Sequence, residues 1–406
     1  MNIRSITYFD NPNYPIAAQT LKNAGNFLQD AQPAFEKAGY GVQTARFATP
    51  PFPRLLPNCK SETVISFAQA LEAASAPLGF AYTSIGPALP EFPQSYAAIP
   101  KVIAQTENVF ASGVMADAEM GISLPSVRAC AQVIHALAPL DPNGFANLYF
   151  AALGNVPPGA PFFPAAYHAK GKPTFALAIE GADLAVEAFT QANSLASARQ
   201  NLINSLESHA KILGDIARKL AGDWGVSFGG IDYSLAPFPD EALSLGTALE
   251  RLGVPLVGRH SSLAGAAFLA NTIDRAQFPR TGFSGLMLPV LEDATLAARA
   301  DEGILSIKDL LLYSAVCGTG LDTVPLPGDT TPEQLMAVLL DLAALSVRLD
   351  KPLTARLMPI PGKKAGERTN FDFPFFANSR VLAVEAEPLQ RLFAGGETFM
   401  LQPRNR

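Results

Sequence analysis

The chain has 406 residues, 49% of them hydrophobic and only 16% charged, with 30 Lys and Arg against 36 Asp and Glu for a formal charge of −6. A typical soluble domain carries about 25% charged residues, so this chain is built for a large apolar core, which excludes intrinsic disorder. No basic stripe or Lys/Arg run offsets the acidic balance, which sets nucleic acid aside as a partner.

From the N-terminus onward, short apolar runs alternate with helical patterns. ITYF (6–9) precedes a helix near 17–38, GVQTARFA (41–48) precedes 62–75, LGFAYTSI (78–85) precedes 95–104, and NVFASGVM (108–115) precedes 124–138. NLYFAALG (147–154) and PTFALAIE (173–180) follow, then a long helix near 192–221, VSFGGIDYS (226–234), a helix at 240–252 and PLVG (255–258). Further strands are expected at 285–291, 321–326 and 354–360, with helices at 293–302, 306–315 and 331–349. Repeated βα units mean parallel strands covered by helices, because a parallel connection needs a crossover. Strands that are apolar throughout belong in a sheet buried on both faces. Prolines gather in connecting segments such as 48–57 and 156–164, and no hydrophilic linker divides the chain, so one α/β domain spanning 1–406 is expected.

Arg4 and Asp10 interrupt the first residues before a signal-peptide core could form. The longest uncharged stretch, 142–169, is too rich in Gly and Pro to span a membrane. Cys59, Cys130 and Cys317 are scattered and odd in number, so no disulfide framework or CxxC site is indicated. A cytoplasmic protein without a membrane partner is expected, and a homo-oligomer is left open.

In parallel α/β folds, ligands meet loops leaving the C-terminal ends of strands. Asp232 ends a strongly apolar strand, where it either bonds backbone amides or serves catalysis or a metal. A strand ending at Gly258 leads to Arg259, His260, Ser261 and Ser262 at a helix start. Ser261 or Ser262 suits an N-cap, the helix end suits an anion, and His260 titrates near neutrality as an acid or base. Glu292 and Asp293 stand at a strand-to-helix junction, where carboxylates cap helices. Asp322 and Asp329 bracket TVPLPG, and Thr331, Pro332 and Gln334 form a helix start of capping-box type. Convergence of Asp232, Glu292, Asp322 and Asp329 would suit magnesium or calcium, since oxygen ligands fit hard cations. Cys317, between small residues, is either an inert buried thiol or a nucleophile activated by His260 or His168. Arg356 is the only charge of its apolar strand, suited to a carboxylate partner or an anionic substrate. His168 sits in a rigid, aromatic and Pro-rich loop. There is no phosphate-binding GxxxxGK[ST] loop and no GxGxxG, so no NAD site is expected, nor haem.

VQTARFATPPF (42–52), GISLPSV (121–127), PFFPAAYH (161–168), GVSFGGIDYSLAPFP (225–239), LPVLEDA (288–294), SAVCGTGLDTVPLPGDT (314–330) and TARLMPIPGK (354–363) occur in order along nearly the whole chain. In these motifs the chain resembles the domain-of-unknown-function 711 family, often labelled pyruvate formate-lyase-like. The resemblance implies a ten-stranded α/β barrel similar to that of the glycyl-radical enzymes. It does not imply their chemistry, because SRVLAVEAEP (379–388) lacks the glycine of an RVxGY loop and Cys317 has no adjacent cysteine, so no glycyl radical is expected.

The expected function is that of a non-radical enzyme acting on a small anionic metabolite. In this reading Arg356, Ser261, Ser262 and His168 bind it, Cys317, His260 and Asp232 carry catalysis, and the four acids hold a divalent cation. A metabolite-binding or regulatory protein without turnover is the alternative. A third reading, a collapsed structural barrel, requires every acid to be paired with backbone or arginine.

Overall fold

The computed structural model describes residues 1–403. Its eleven strands are β1 (Asn2–Phe9), β2 (Val42–Ala48), β3 (Tyr82–Ala88), β4 (Val109–Asp117), β5 (Gly121–Ser123), β6 (Phe150–Gly154), β7 (Thr174–Glu180), β8 (Ser227–Ala236), β9 (Gly320–Pro327), β10 (Leu353–Ile360) and β11 (Thr398–Phe399). Nine of them form the main sheet in the order β8-β7-β1-β2-β3-β4-β6-β10-β9, while β5 and β11 pair at its side. Every residue of β9 and of β10 is buried, as expected for strands covered on both faces.

Helices connect the strands where the apolar spacing is helical, and capping side chains set several starts. Thr331 accepts from the Gln334 amide, with Gln334 returning the bond and Pro332 at the first position, ahead of the helix Pro332–Arg348. Ser194 and Ser197 make the same reciprocal pair at the 30-residue helix Leu195–Trp224, which stops at Gly225 in the left-handed region. Among the described residues no helix is long and apolar enough to cross a membrane.

The sheet is mostly parallel, with two antiparallel seams, β1 against β7 and β6 against β10. Strands β1, β2, β3, β4 and β6 therefore run one way, and β7, β8, β9 and β10 run the other. The ladder does not close on itself, since β8 and β9 are its edges. The run 279–291 lies between them and reaches each through an isolated parallel bridge, Ile231 with Arg280 and Pro289 with Asp322.

Three local expectations are corrected. The stretch 255–258 is a turn, because Gly258 takes a φ of +101° and packs against the Ile304 carbonyl so closely that a Cβ would sit 2.9 Å from it. The stretch 285–291 is irregular rather than a strand: Gly285 lies back to back with Gly318, and Pro289 has no amide to give a ladder. A helix at Ala182–Thr190, following β7 directly, was not foreseen.

Candidate functional site

Inward-facing side chains from both strand sets meet around a cavity of about 450 Å³. The first set contributes Arg4, Tyr82 and Phe110 from the N-terminal halves of β1, β3 and β4, with Arg46 just past the middle of β2. The second contributes residues such as Ile179 and Ala236 near the C-terminal ends of β7 and β8, with Arg356 from the middle of β10. The antiparallel seams thus bring opposite strand ends to one mouth, and the rule that ligands meet C-terminal strand ends holds for only half of it.

The polar centre is an ion-pair network. Arg356 donates from Nε to Asp322 at 2.5 Å and from Nη2 to Glu292 at 2.7 Å. Arg4 donates to the other oxygen of Glu292 at 2.5 Å and to Glu180 at 3.3 Å, and the Gln43 amide also reaches Glu180. Burial alone would raise the Glu292 carboxyl, but Arg4 and Arg356 outweigh it and hold the group below its usual range. Asp322 is pushed the other way: burial dominates, Arg356 opposes it, and the charge of Glu292 adds to the rise. Asp322 Oδ2 has no hydrogen-bond partner.

Arg46 differs from the other two arginines. Its Nε donates to Thr44 Oγ1 at 2.9 Å, and its guanidinium lies 5.7 Å from the centre of the Tyr82 ring and 5.2 Å from that of Phe163. Among the described residues no carboxylate pairs with it, and its terminal nitrogens make no hydrogen bond. Burial, with Arg4 and Arg356 nearby, opposes its charge. Arginine nonetheless stays protonated in proteins, so Arg46 is a partly buried cation facing the cavity.

The residues singled out from the sequence are dispersed. Arg356 and Glu292 line the cavity, and Asp322 is fully buried behind Arg356. Asp232 also lines it, but its carboxylate accepts from the Phe283 and Ser284 amides, each at 2.9 Å, and from Ser234 Oγ at 2.5 Å. It thereby ties β8 to the run 279–291. Asp329 is exposed after β9, so the four acids do not form one set. Among the described residues no three His, Cys, Asp or Glu side chains gather so as to hold a metal ion.

His260 and Ser261 are exposed at the start of the helix Ser262–Arg275, away from the cavity lining. Ser261 makes no capping bond there, because its φ of +84° turns it out of a capping conformation; Ser262 accepts from the Gly258 amide instead. Cys317 is buried, and its carbonyl accepts from Lys351 Nζ. His168 is buried in the loop before β7, where its Nε2 has no partner. Asp293 does what its junction implied, accepting from Thr295 and Leu296 at its own helix and from the Leu245 and Gly246 amides across the interface.

Arg4, Arg46 and the aromatic lining were missed by sequence reasoning. The signal that marked Arg356, a lone charge in a strand, is present for Arg46 in GVQTARFA as well, beside the polar Gln43 and Thr44.

Fold and site together define a mixed α/β protein in which an arginine–carboxylate network opens onto an aromatic cavity. A family model described as Uncharacterised ACR (DUF711) matches residues 1–378. The chain belongs to this DUF711 family, whose curated relatives are designated UPF0210 proteins. It is 31% identical to the UPF0210 protein of Pyrobaculum islandicum over 366 residues, covering 84% of this chain and 79% of that one. It is 30% identical to that of Syntrophobacter fumaroxidans over 376 residues, covering 88% and 82%. The match to the Pyrobaculum arsenaticum relative, 34% identical, covers 66% of this chain and 61% of that protein's length.

Proposed function

We propose that the chain is a non-radical enzyme that acts on a small anionic metabolite seated on Arg46. The observation that supports this reading is a cavity-lining guanidinium with no carboxylate partner. The terminal nitrogens of Arg46 are taken by no protein acceptor among the described residues, so a carboxylate or phosphate oxygen entering the cavity would meet free donors there. Arg356 and Arg4 are engaged with Glu292, Asp322 and Glu180, so in this reading they shape the site rather than take the anion. Glu292, ionised and lining the cavity, is the candidate base, and Asp322, pushed toward its protonated form behind Arg356, is its counterpart.

A divalent cation has no part in this reading, because three of the acids considered for it are committed to amides or arginines and Asp329 lies apart. The run 279–291 is read as completing a barrel-like wall behind the cavity, in keeping with the resemblance to the glycyl-radical barrel; its two bridges to the sheet edges support that reading. A metabolite-binding protein without turnover uses the same seat, and the double clamp on Glu292 favours it over a mobile base.

The test is the melting temperature of the native chain and of Arg46→Met with millimolar acetate, pyruvate, benzoate or inorganic phosphate. At least one of these anions is expected to raise the native midpoint and to leave that of the variant unmoved. Equal shifts in both proteins, or none in either, would overturn the assignment of Arg46.

A further inference from the structure

The Arg46 guanidinium lies over the rings of Tyr82 and Phe163, and its Nε is taken by Thr44. What it offers is therefore the in-plane edge formed by its two terminal nitrogens. That edge matches the two oxygens of one carboxylate in a fork.

The charge around the cavity limits the anion further. Arg4 and Arg356 are in contact with Glu180, Glu292 and Asp322, which leaves Arg46 as the one arginine of the three without a carboxylate contact among the described residues. The three arginines and three carboxylates already balance, so each charge a ligand adds counts against it and a monoanion is opposed least. A dianion such as phosphate would bring its second charge into the cavity with Glu292, whose carboxylate is already held ionised by both other arginines.

The body of the ligand is constrained by two groups of rings lining the cavity. Tyr82, Phe110, Tyr149 and Phe163 form one: Phe110 lies 5.3 Å from Tyr82, 4.7 Å from Tyr149 and 5.3 Å from Phe163, measured between ring centres. Phe373, Phe375 and Phe376 form the other, on the irregular segment after β10, with Phe373 5.3 Å from Phe375 and 5.2 Å from Phe376. Among the described residues no ring contact joins the two groups, and both face the same cavity. Aromatic walls prefer the face or edge of another ring, and about 450 Å³ is within the usual range for a compact organic ligand.

Building on the anion seat at Arg46, we propose that the ligand is a planar aromatic monocarboxylate. Its carboxylate sits on the terminal nitrogens of Arg46, and its ring lies between the Phe110 group and the Phe373 group.

Calorimetric titration of the native chain with benzoate, cyclohexanecarboxylate, acetate and inorganic phosphate tests this, with Arg46→Met and Phe373→Leu as variants. Benzoate is expected to bind about 3- to 10-fold more tightly than cyclohexanecarboxylate, which has the same carbon count without the π face, and more tightly still than acetate or phosphate. Arg46→Met should abolish benzoate binding, and Phe373→Leu should weaken benzoate several-fold while leaving acetate unchanged. Cyclohexanecarboxylate or acetate binding as tightly as benzoate would overturn the aromatic class and leave the anion seat standing. Phosphate binding more tightly than benzoate would overturn the monocarboxylate. Benzoate binding that survives Arg46→Met, or no binding by any of the four, would overturn both this inference and the seat itself. Phe373 is on a partly exposed segment, so its variant tests the roof without emptying the core.

Discussion

Arg46 and Arg356 sit on strands of the same sheet, yet removing them should have very unequal consequences. Truncating Arg356 leaves Glu292 with Arg4 alone and Asp322 with no cation, and breaking a buried pair costs about 3–5 kcal/mol. Arg356→Met should lose about that much in urea denaturation, and adding Glu292→Gln and Asp322→Asn should recover most of it. For Arg46 the balance differs: it is partly exposed and has no carboxylate to strand, and its two ring contacts are worth about 0.5–1 kcal/mol each. Ligand-free Arg46→Met should therefore lose only about 1–2 kcal/mol, and a loss as large as that of Arg356→Met would mean that the cation has a carboxylate partner after all.

His168 gives a pH signature. Burial lowers its pKa from the ordinary 6.5, so between the folded value and 6.5 the unfolded chain binds more protons. Its contribution to stability is complete above about pH 6.5 and is lost as the pH falls below that value. His209 is shifted in the same direction, so the test is the difference between native and His168→Gln stability at pH 7.5 and 5.5; the variant should lose less on acidification. At this scale the sequence made Arg356 legible as a lone charge in an apolar strand, and it made Asp293 legible as a junction carboxylate. It left Arg46 unread because Gln43 and Thr44 make that strand half polar, so a charge stands out less there, and Arg4 because its partners lie 176 and 288 residues away, a separation that local spacing does not reveal.

Among the elements, those with strong local chemistry were the most legible. Thr331, Pro332 and Gln334 spell a helix start, and the structure begins one at Pro332. The long helix was legible from its spacing without its cap; in the structure Ser194 and Ser197 close its start, and Ser194→Ala should cost about 1 kcal/mol, measured as a lowered urea midpoint with an unchanged slope. The failures cluster where an apolar run is stopped by glycine and proline, at 255–258 and 285–291. Such a run satisfies a strand pattern, while the backbone needs of Gly258 and Pro289 forbid the ladder, and composition alone does not separate the two. The helix Ala182–Thr190 was passed over because it follows β7 with only Gly181 between them, too short a break to mark a boundary.

For the whole molecule, alternating β and α patterns indicated a large parallel-rich sheet but not its two antiparallel seams, since a side chain's burial does not encode strand direction. The run 279–291 stitches the sheet edges, and Asp232 is its main anchor. Asp232→Ala would leave the Phe283 and Ser284 amides without their acceptor, at about 1–3 kcal/mol for each buried group. Hydrogen exchange should then speed up at those amides and at Ile231, which bonds Pro279, while the amides of β2 and β3 stay protected. Uniform acceleration through all strands would contradict a local stitching role.

The seams also bear on how the chain is made. Arg4 belongs to the first strand to leave the ribosome and Arg356 to the last strand of the main sheet, yet both guanidiniums grip Glu292. Domains gain structure from the N-terminus as synthesis proceeds, and contacts this distant in sequence form late. β9 joins the sheet through β10, so a nascent chain halted before β10 would leave Asp322 outside the sheet as well as without its cation, and the cavity comes into being only when that strand docks.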